Sequence, residues 1–324
     1  METTGIEPVT SCMSSMHSNQ LSYASVQCSI IIAHQIINCN SFHKKIKKIS
    51  VLIFTDVENC DILPLYDYFI LEELIMKAIL MAAGKGTRLQ EKDNPSPKVL
   101  RLANGRPLLS YVLDMLPDID ISEITVVTGF MAEKVEEAFA DTGCRFSKQG
   151  DEAYGTGYAV MCGLKDSQFD DFDGDVVILN GDAPLTKIET VKGMCAQHIA
   201  NGNACTLLSC DTEIKLPYGR IIRNENGNII DIKEEKDCNE EEKLISELNV
   251  GAYVFNCKAL REGLAKIDNN NKANEYYITS VPPALAAMGY KVESFITTDN
   301  DELWGVNTPE DLEAVEKILK SRQG

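Results

Sequence analysis

Lys77-Ala78-Ile79-Leu80-Met81-Ala82-Ala83-Gly84-Lys85-Gly86-Thr87-Arg88-Leu89 is the stretch on which the reading of this chain turns. Its first six residues form an apolar run of strand length, ending in a glycine-bearing loop. Two glycines let the backbone come close to an anion and aim amide N–H groups at it. No Gly-Lys-Ser/Thr closes the loop, so it is not a Walker A loop. Leu89 stands where a dinucleotide fingerprint needs its third glycine, and the next strand ends Thr128-Gly129-Phe130 with no acid for a ribose. A nicotinamide enzyme is therefore not expected. Lys85, Arg88, Lys92 and Lys98 cluster here in a chain whose net charge is −18, from 49 acidic and 31 basic side chains. A protein that acidic needs local cations to hold a phosphate. The bland alternative is an ordinary strand-to-helix turn carrying surface lysines.

Outward from the loop, strand-like and helix-like segments alternate. Strands are expected at 77–82, 124–128, 176–179 and 205–208, with helices at 108–115, 131–140, 159–165 and 190–199. Such alternation predicts a doubly wound α/β sheet covered by helices on both faces. After Tyr218 the pattern changes to antiparallel strands around Ile221-Ile222, Ile229 to Ile232 and Val250 to Phe255, with a turn at Asn226-Gly227-Asn228. A helix near 259–266, a strand at 292–296 and a closing helix at 309–320 follow, the last with Thr308 as N-cap and Pro309 at the first helical position.

Composition divides the chain. Of 324 residues, 44% are apolar and 25% charged, which is ordinary for a globular protein. Residues 1–75, however, hold only one of the 21 glycines, with three of the four histidines and Cys12, Cys28, Cys39 and Cys60. These Cys and His match no zinc spacing, and no apolar run here spans a bilayer. The words Thr4-Gly5-Ile6-Glu7-Pro8-Val9-Thr10-Ser11-Cys12 and Gln20-Leu21-Ser22-Tyr23 resemble read-through translation of a tRNA gene. That resemblance implies a start at Met76 and an extension over 1–75 that is disordered or wrongly assigned. Residues 76–324 then form one domain with 27 basic and 41 acidic side chains, net −14. That charge argues against nucleic acid or an anionic membrane as the main partner. The remaining seven cysteines are scattered among apolar residues as core thiols, and a cytoplasmic protein is expected.

Several motifs in order now carry a family resemblance. Leu80 to Arg88 with Pro97-Lys98-Val99-Leu100 resembles the signature of sugar nucleotidyltransferases. Among these the chain is most similar to uridylyltransferase domains of bacterial bifunctional N-acetylglucosamine-1-phosphate enzymes. Gly155-Thr156-Gly157-Tyr158, Gly181-Asp182-Ala183-Pro184-Leu185, Tyr218-Gly219-Arg220-Ile221, Glu234-Glu235-Lys236-Asp237, Glu247-Leu248-Asn249-Val250-Gly251, Glu275-Tyr276-Tyr277 and Gly305-Val306-Asn307 extend it over nearly all of 76–324. The resemblance implies a Rossmann-like doubly wound mixed sheet of the glycosyltransferase-A-like type, with a small antiparallel sugar-binding part.

It also implies a reaction. A sugar 1-phosphate oxygen attacks the α-phosphorus of UTP, and pyrophosphate leaves. The nucleophile is already an anion, so bringing two anions together is the task. Arg88, Lys98 and Asp182 are the catalytic candidates, with Mg²⁺ on Asp182 and Asn307. Asp182 follows a buried strand, at the sheet edge where open α/β folds bind ligands. Met81, Ala82, Ala83, Gly84, Gln149, Gly155 and Thr156 would surround the uracil, and Asn180, Gly219, Glu234 and Asn249 the sugar and ribose. Tyr276 and Tyr277 would line the sugar pocket or pack in the core.

The chain departs from the family pattern at a few positions. Gly150 stands where the uracil-reading glutamine belongs, so Gln149 takes that role through a one-residue insertion. Asn180, Val250 and Ser280 replace the common tyrosine, threonine and aspartate, which bears on the choice of sugar. No hexapeptide repeat is present, so acetyl transfer is not expected. The alternatives are a nucleotidyltransferase for another sugar or alcohol phosphate, and a non-catalytic nucleotide-sugar-binding module. The oligomeric state is open.

Overall fold

The structure is a computed structural model. It describes three strands at 29–38, 44–54 and 66–73, and residues 76–322 apart from 91–94, 120 and 122. Lys92, read above as part of the basic cluster, lies outside the described residues. The chain divides into two compact units, Met1–Leu74 and Ile75–Gly324.

In the first unit β1 (Ser29–Asn38), β2 (Lys44–Phe54) and β3 (Tyr66–Glu73) pair as an antiparallel sheet in that order.

The second unit is built on a nine-stranded mixed sheet. Its strands are β4 (Met76–Met81), β7 (Glu123–Thr128), β8 (Arg145–Lys148), β9 (Asp175–Asn180), β10 (Cys205–Asp211), β11 (Arg220–Arg223), β12 (Ile229–Lys233), β13 (Glu247–Asn256) and β14 (Val292–Thr297). A separate two-stranded ribbon pairs β5 (Leu102–Ala103) with β6 (Arg106–Pro107). The main path runs β12-β11-β13-β9-β4-β7-β8, with β10 on β13 and β14 on β10. β9, β4, β7 and β8 are parallel, whereas β13 runs antiparallel to β9, β10 and β11. The expected doubly wound sheet with an antiparallel part is what forms.

Strand periodicity explains the two faces. Leu80, Val126, Val177 and Leu179 point to one core, with α1 (Leu108–Met115), α2 (Ala132–Ala138) and α4 (Ile188–Asn201). Ile79, Val127, Val176 and Ile178 point to the other, with α3 (Thr156–Gly163), α5 (Cys257–Leu264) and α6 (Val281–Ala287). Apolar side chains at consecutive positions are therefore required, which is why these strands read as unbroken apolar runs.

The closing helix α7 (Pro309–Arg322) packs Val315 and Leu319 with Leu89, Leu108, Leu185 and Val306. Its start follows the sequence reading. The Asp311 N–H donates to Thr308 Oγ1 at 3.2 Å, and Asp311 Oδ2 accepts from the N–H groups of Thr308 and Asn307 at 2.8 and 2.9 Å. The cap thus fixes the backbone of Asn307. Cys144, Cys162, Cys195, Cys205, Cys210, Cys238 and Cys257 are free thiols, all but half-buried Cys144 fully buried. Among the described residues no helix is long and apolar enough to cross a membrane.

Candidate functional site

β4 and β9 are adjacent and parallel, so the loops after them, 82–87 and 181–187, emerge side by side at the carboxyl edge of the sheet. The Gly181 N–H donates to the Met81 carbonyl at 3.0 Å, and Ala82 N–H to Val127 O at 2.9 Å, which ties the glycine loop to both neighbouring strands. A cleft of about 700 Å³ opens there. Met81, Ala83, Gly84, Gln149, Gly155, Thr156, Asn180 and Asp182 line it, together with Lys85 and Lys98. Among the described residues nothing lies within 4 Å of where a Gly84 side chain would start.

Three residues distant in sequence converge at this cleft. Lys98 Nζ forms an ion pair with the Asp182 carboxylate and donates to Asn307 Oδ1 at 2.7 Å. The Asp182 side chain is 19% exposed and that of Lys98 13%. The main chain holds them in place. Val306 N–H donates to the Asp182 carbonyl at 3.0 Å, and Tyr218 bridges the Leu303 carbonyl and the Gly305 N–H. Gly86, at φ +60°, lets the loop lie against Lys98, where a Cβ would sit 2.8 Å from Lys98 Cβ. A carboxylate and an amide oxygen therefore already share one cation, the lysine ammonium. Such a hard-oxygen pair fits a divalent cation that keeps most of its shell for water and phosphate oxygens. Among the described residues no group of three or more His, Cys, Asp or Glu side chains gathers as a metal site.

The lip formed by 149–157 is anchored from across the fold. Gln149 N–H donates to Thr128 O at 2.7 Å, extending β8 toward the cleft. Gly157 N–H donates to Tyr276 O at 2.7 Å, Tyr276 N–H to Tyr154 O at 2.8 Å, and Ile278 N–H to Thr156 Oγ1 at 3.0 Å. Gly155 sits at φ +110° with room for no side chain, since a Cβ would lie 2.3 Å from the Tyr276 carbonyl oxygen. Gly155→Ala adds backbone strain to that clash and is expected to cost about 2–4 kcal/mol. Thermal unfolding of the variant should show it as a fall of roughly 4–16 °C.

Not every expected residue lines this cleft. Arg88 is exposed and makes no hydrogen bond or ion pair among the described residues. Ala82 is buried and contributes backbone. Gly219 and Asn249 meet each other, the Asn249 N–H donating to Gly219 O at 2.9 Å. Asn249 Nδ2 donates to the Tyr253 hydroxyl at 2.8 Å, and its buried Oδ1 has no partner among the described residues. Glu234 lines a second cavity of about 380 Å³ with Asp231, Asp237 and Tyr277. Conversely, sequence reading gave no site role to Phe130, Lys148, Asp151, Tyr154 or to Glu275, which it quoted only within a motif; all five are on the cleft wall.

Burial pushes the Glu234 carboxyl above the usual carboxylate range, against the Thr279 hydroxyl that donates to Oε1 at 2.9 Å. The folded chain thus holds this proton to higher pH than the unfolded chain. The associated stability is present at low pH and is lost as pH rises through the raised value. Glu234→Gln mimics the protonated form, so its melting temperature relative to the wild type is expected to be higher at pH 8 than at pH 5.

The model of the MobA-like NTP transferase domain matches residues 78–277. The Bifunctional protein GlmU of Clostridium novyi (strain NT) is 40% identical over 245 residues, 76% of this chain and 52% of that protein. That of Clostridioides difficile (strain 630) is 37% identical over 246 residues, with the same shares. The chain thus spans about half the length of the curated relatives it matches. The crystal structure of UDP-glucose pyrophosphorylase complexed with UDP-glucose superposes with a TM-score of 0.61. It covers 76% of this chain and 99% of that one at 18% identity, a likeness of fold alone.

Proposed function

The chain belongs to the family of MobA-like NTP transferase domains, and on that premise we propose that it couples UTP and N-acetylglucosamine 1-phosphate to UDP-N-acetylglucosamine and pyrophosphate. The observation that carries the reading is the meeting of Lys98, Asp182 and Asn307 beside an amide-lined loop at the sheet edge. The similarity to two GlmU proteins supports the choice of substrates.

In this reading the sugar 1-phosphate oxygen forms a bond to the α-phosphorus as the bond to the bridging β-phosphate oxygen breaks. Pyrophosphate carries the leaving electron pair, and no proton need be abstracted. Asp182 and Asn307 would hold Mg²⁺, which neutralises phosphate charge when bound. Lys98 and Arg88 stabilise charge on the phosphates, and Arg88, exposed and unpaired among the described residues, is free to reach them. Met81–Gly84, Gln149, Gly155 and Thr156 cradle the nucleoside. Asn180, whose Nδ2 approaches to 2.5 Å of the position a Gly251 Cβ would take, would meet the sugar. Gly219, Glu234 and Asn249, which do not line the cleft itself, are given their sugar and ribose contacts by the family resemblance. The cytoplasm is part of the same proposal.

The experiment is a screen of purified protein with Mg²⁺, nucleoside triphosphates against sugar and alcohol phosphates, reading pyrophosphate release. The highest kcat/KM is expected for UTP with N-acetylglucosamine 1-phosphate. Faster turnover of another pair would reassign the substrate. A wild type as inactive as Asp182→Ala, yet binding a nucleotide sugar, would make the protein a sensor.

A further inference from the structure

The Tyr154 side chain is 59% exposed, yet it stands on the wall of the cleft. A single exposed aromatic is by itself unremarkable on a protein surface. What sets this one apart is how its backbone is held. Its carbonyl accepts from Tyr276 N–H at 2.8 Å, and the next residue, Gly155, is pressed against the Tyr276 carbonyl at φ +110°. The loop is pinned on a distant segment, and the ring is presented without a hydrogen bond, ion pair or ring contact among the described residues.

The neighbouring aromatics are already engaged. The Lys85 ammonium stands 5.4 Å from the Phe130 ring centroid, and the Tyr158 hydroxyl donates to Glu152 at 2.9 Å. The same cleft is lined by Ala83 and Gly84, whose small bulk leaves room for a planar group. We infer that the Tyr154 ring is a stacking platform for the nucleobase of the bound nucleoside triphosphate. The inference rests on the proposed function and deepens it. Because every base offers a π-face, stacking adds affinity without choosing among bases. Selection then falls to hydrogen-bonding groups such as Gln149.

Calorimetric titration with UTP, CTP and inorganic tripolyphosphate tests this. Tyr154→Ala is expected to weaken UTP and CTP alike, by on the order of tenfold or more, and to leave tripolyphosphate unchanged. Tyr154→Phe keeps the ring and should bind as the wild type does. Tyr154→Trp adds a reporter whose emission uridine 5′-monophosphate quenches, against the single native Trp304 as control. Tyr154→Ala binding UTP as tightly as the wild type, or losing tripolyphosphate in proportion, overturns the inference alone. A wild type that binds tripolyphosphate but no nucleoside triphosphate overturns the proposed function and the stacking with it.

Discussion

Asp182→Asn is expected to slow pyrophosphate release by about 10²–10³-fold or more while the chain still folds. The substitution keeps the shape of the side chain and removes its charge. Asp182 follows β9 directly, and its carbonyl accepts from Val306 N–H at 3.0 Å, so the backbone that joins the two loops survives. What is lost is the anionic oxygen shared by Lys98 and, in the proposed reaction, by Mg²⁺. Preorganised charge at a phosphoryl centre is worth roughly 3–4 kcal/mol per group, which sets that magnitude. Steady-state kinetics with a melting curve on the same sample checks it. A loss of activity with a matching loss of folded protein would mean that the residue is structural.

Lys98→Met should produce two changes of opposite sign. Turnover falls on the order of a hundredfold, because a cation that stabilises phosphate charge is gone. Divalent-cation binding without nucleotide tightens, because Asp182 and Asn307 lose the internal ammonium that now occupies them. Titration with Mn²⁺ followed by electron paramagnetic resonance reads the second effect without any turnover. The methionine chain fills much of the lysine stem's volume, so packing against Gly86 is kept. Mn²⁺ affinity equal to that of the wild type would show that Lys98 and the metal occupy different places.

The legible parts of the fold are those where local pattern and tertiary demand coincide. Val176-Val177-Ile178-Leu179 alternates between two cores, so its unbroken apolar run announced a central strand. β8 was missed because Arg145-Phe146-Ser147-Lys148 is short and polar, and among the described residues it pairs with β7 alone at the sheet edge. α6 was hidden by Pro282-Pro283, which a helix tolerates in its first turn, where no N–H is needed. For the site, Asp182 could be placed at a strand end from the residues alone. Its meeting with Lys98 and Asn307 was carried by the family motifs, since Lys98 and Asn307 are 209 residues apart. Tyr154 carried no local signal, and Glu275 stood out only as the head of the Glu275-Tyr276-Tyr277 motif. The Tyr276–Tyr154 hydrogen bond that brings their loops together is a product of the folded topology.

Nucleotidyl transfer at the α-phosphorus can be followed by ³¹P NMR of one reaction mixture. Purified protein is mixed with UTP, N-acetylglucosamine 1-phosphate and Mg²⁺. The UTP and sugar phosphate resonances are expected to fall together while those of a diphosphate diester and free pyrophosphate grow in equal amounts. UTP unchanged beside intact sugar phosphate, or its conversion to UDP and inorganic phosphate, would contradict it.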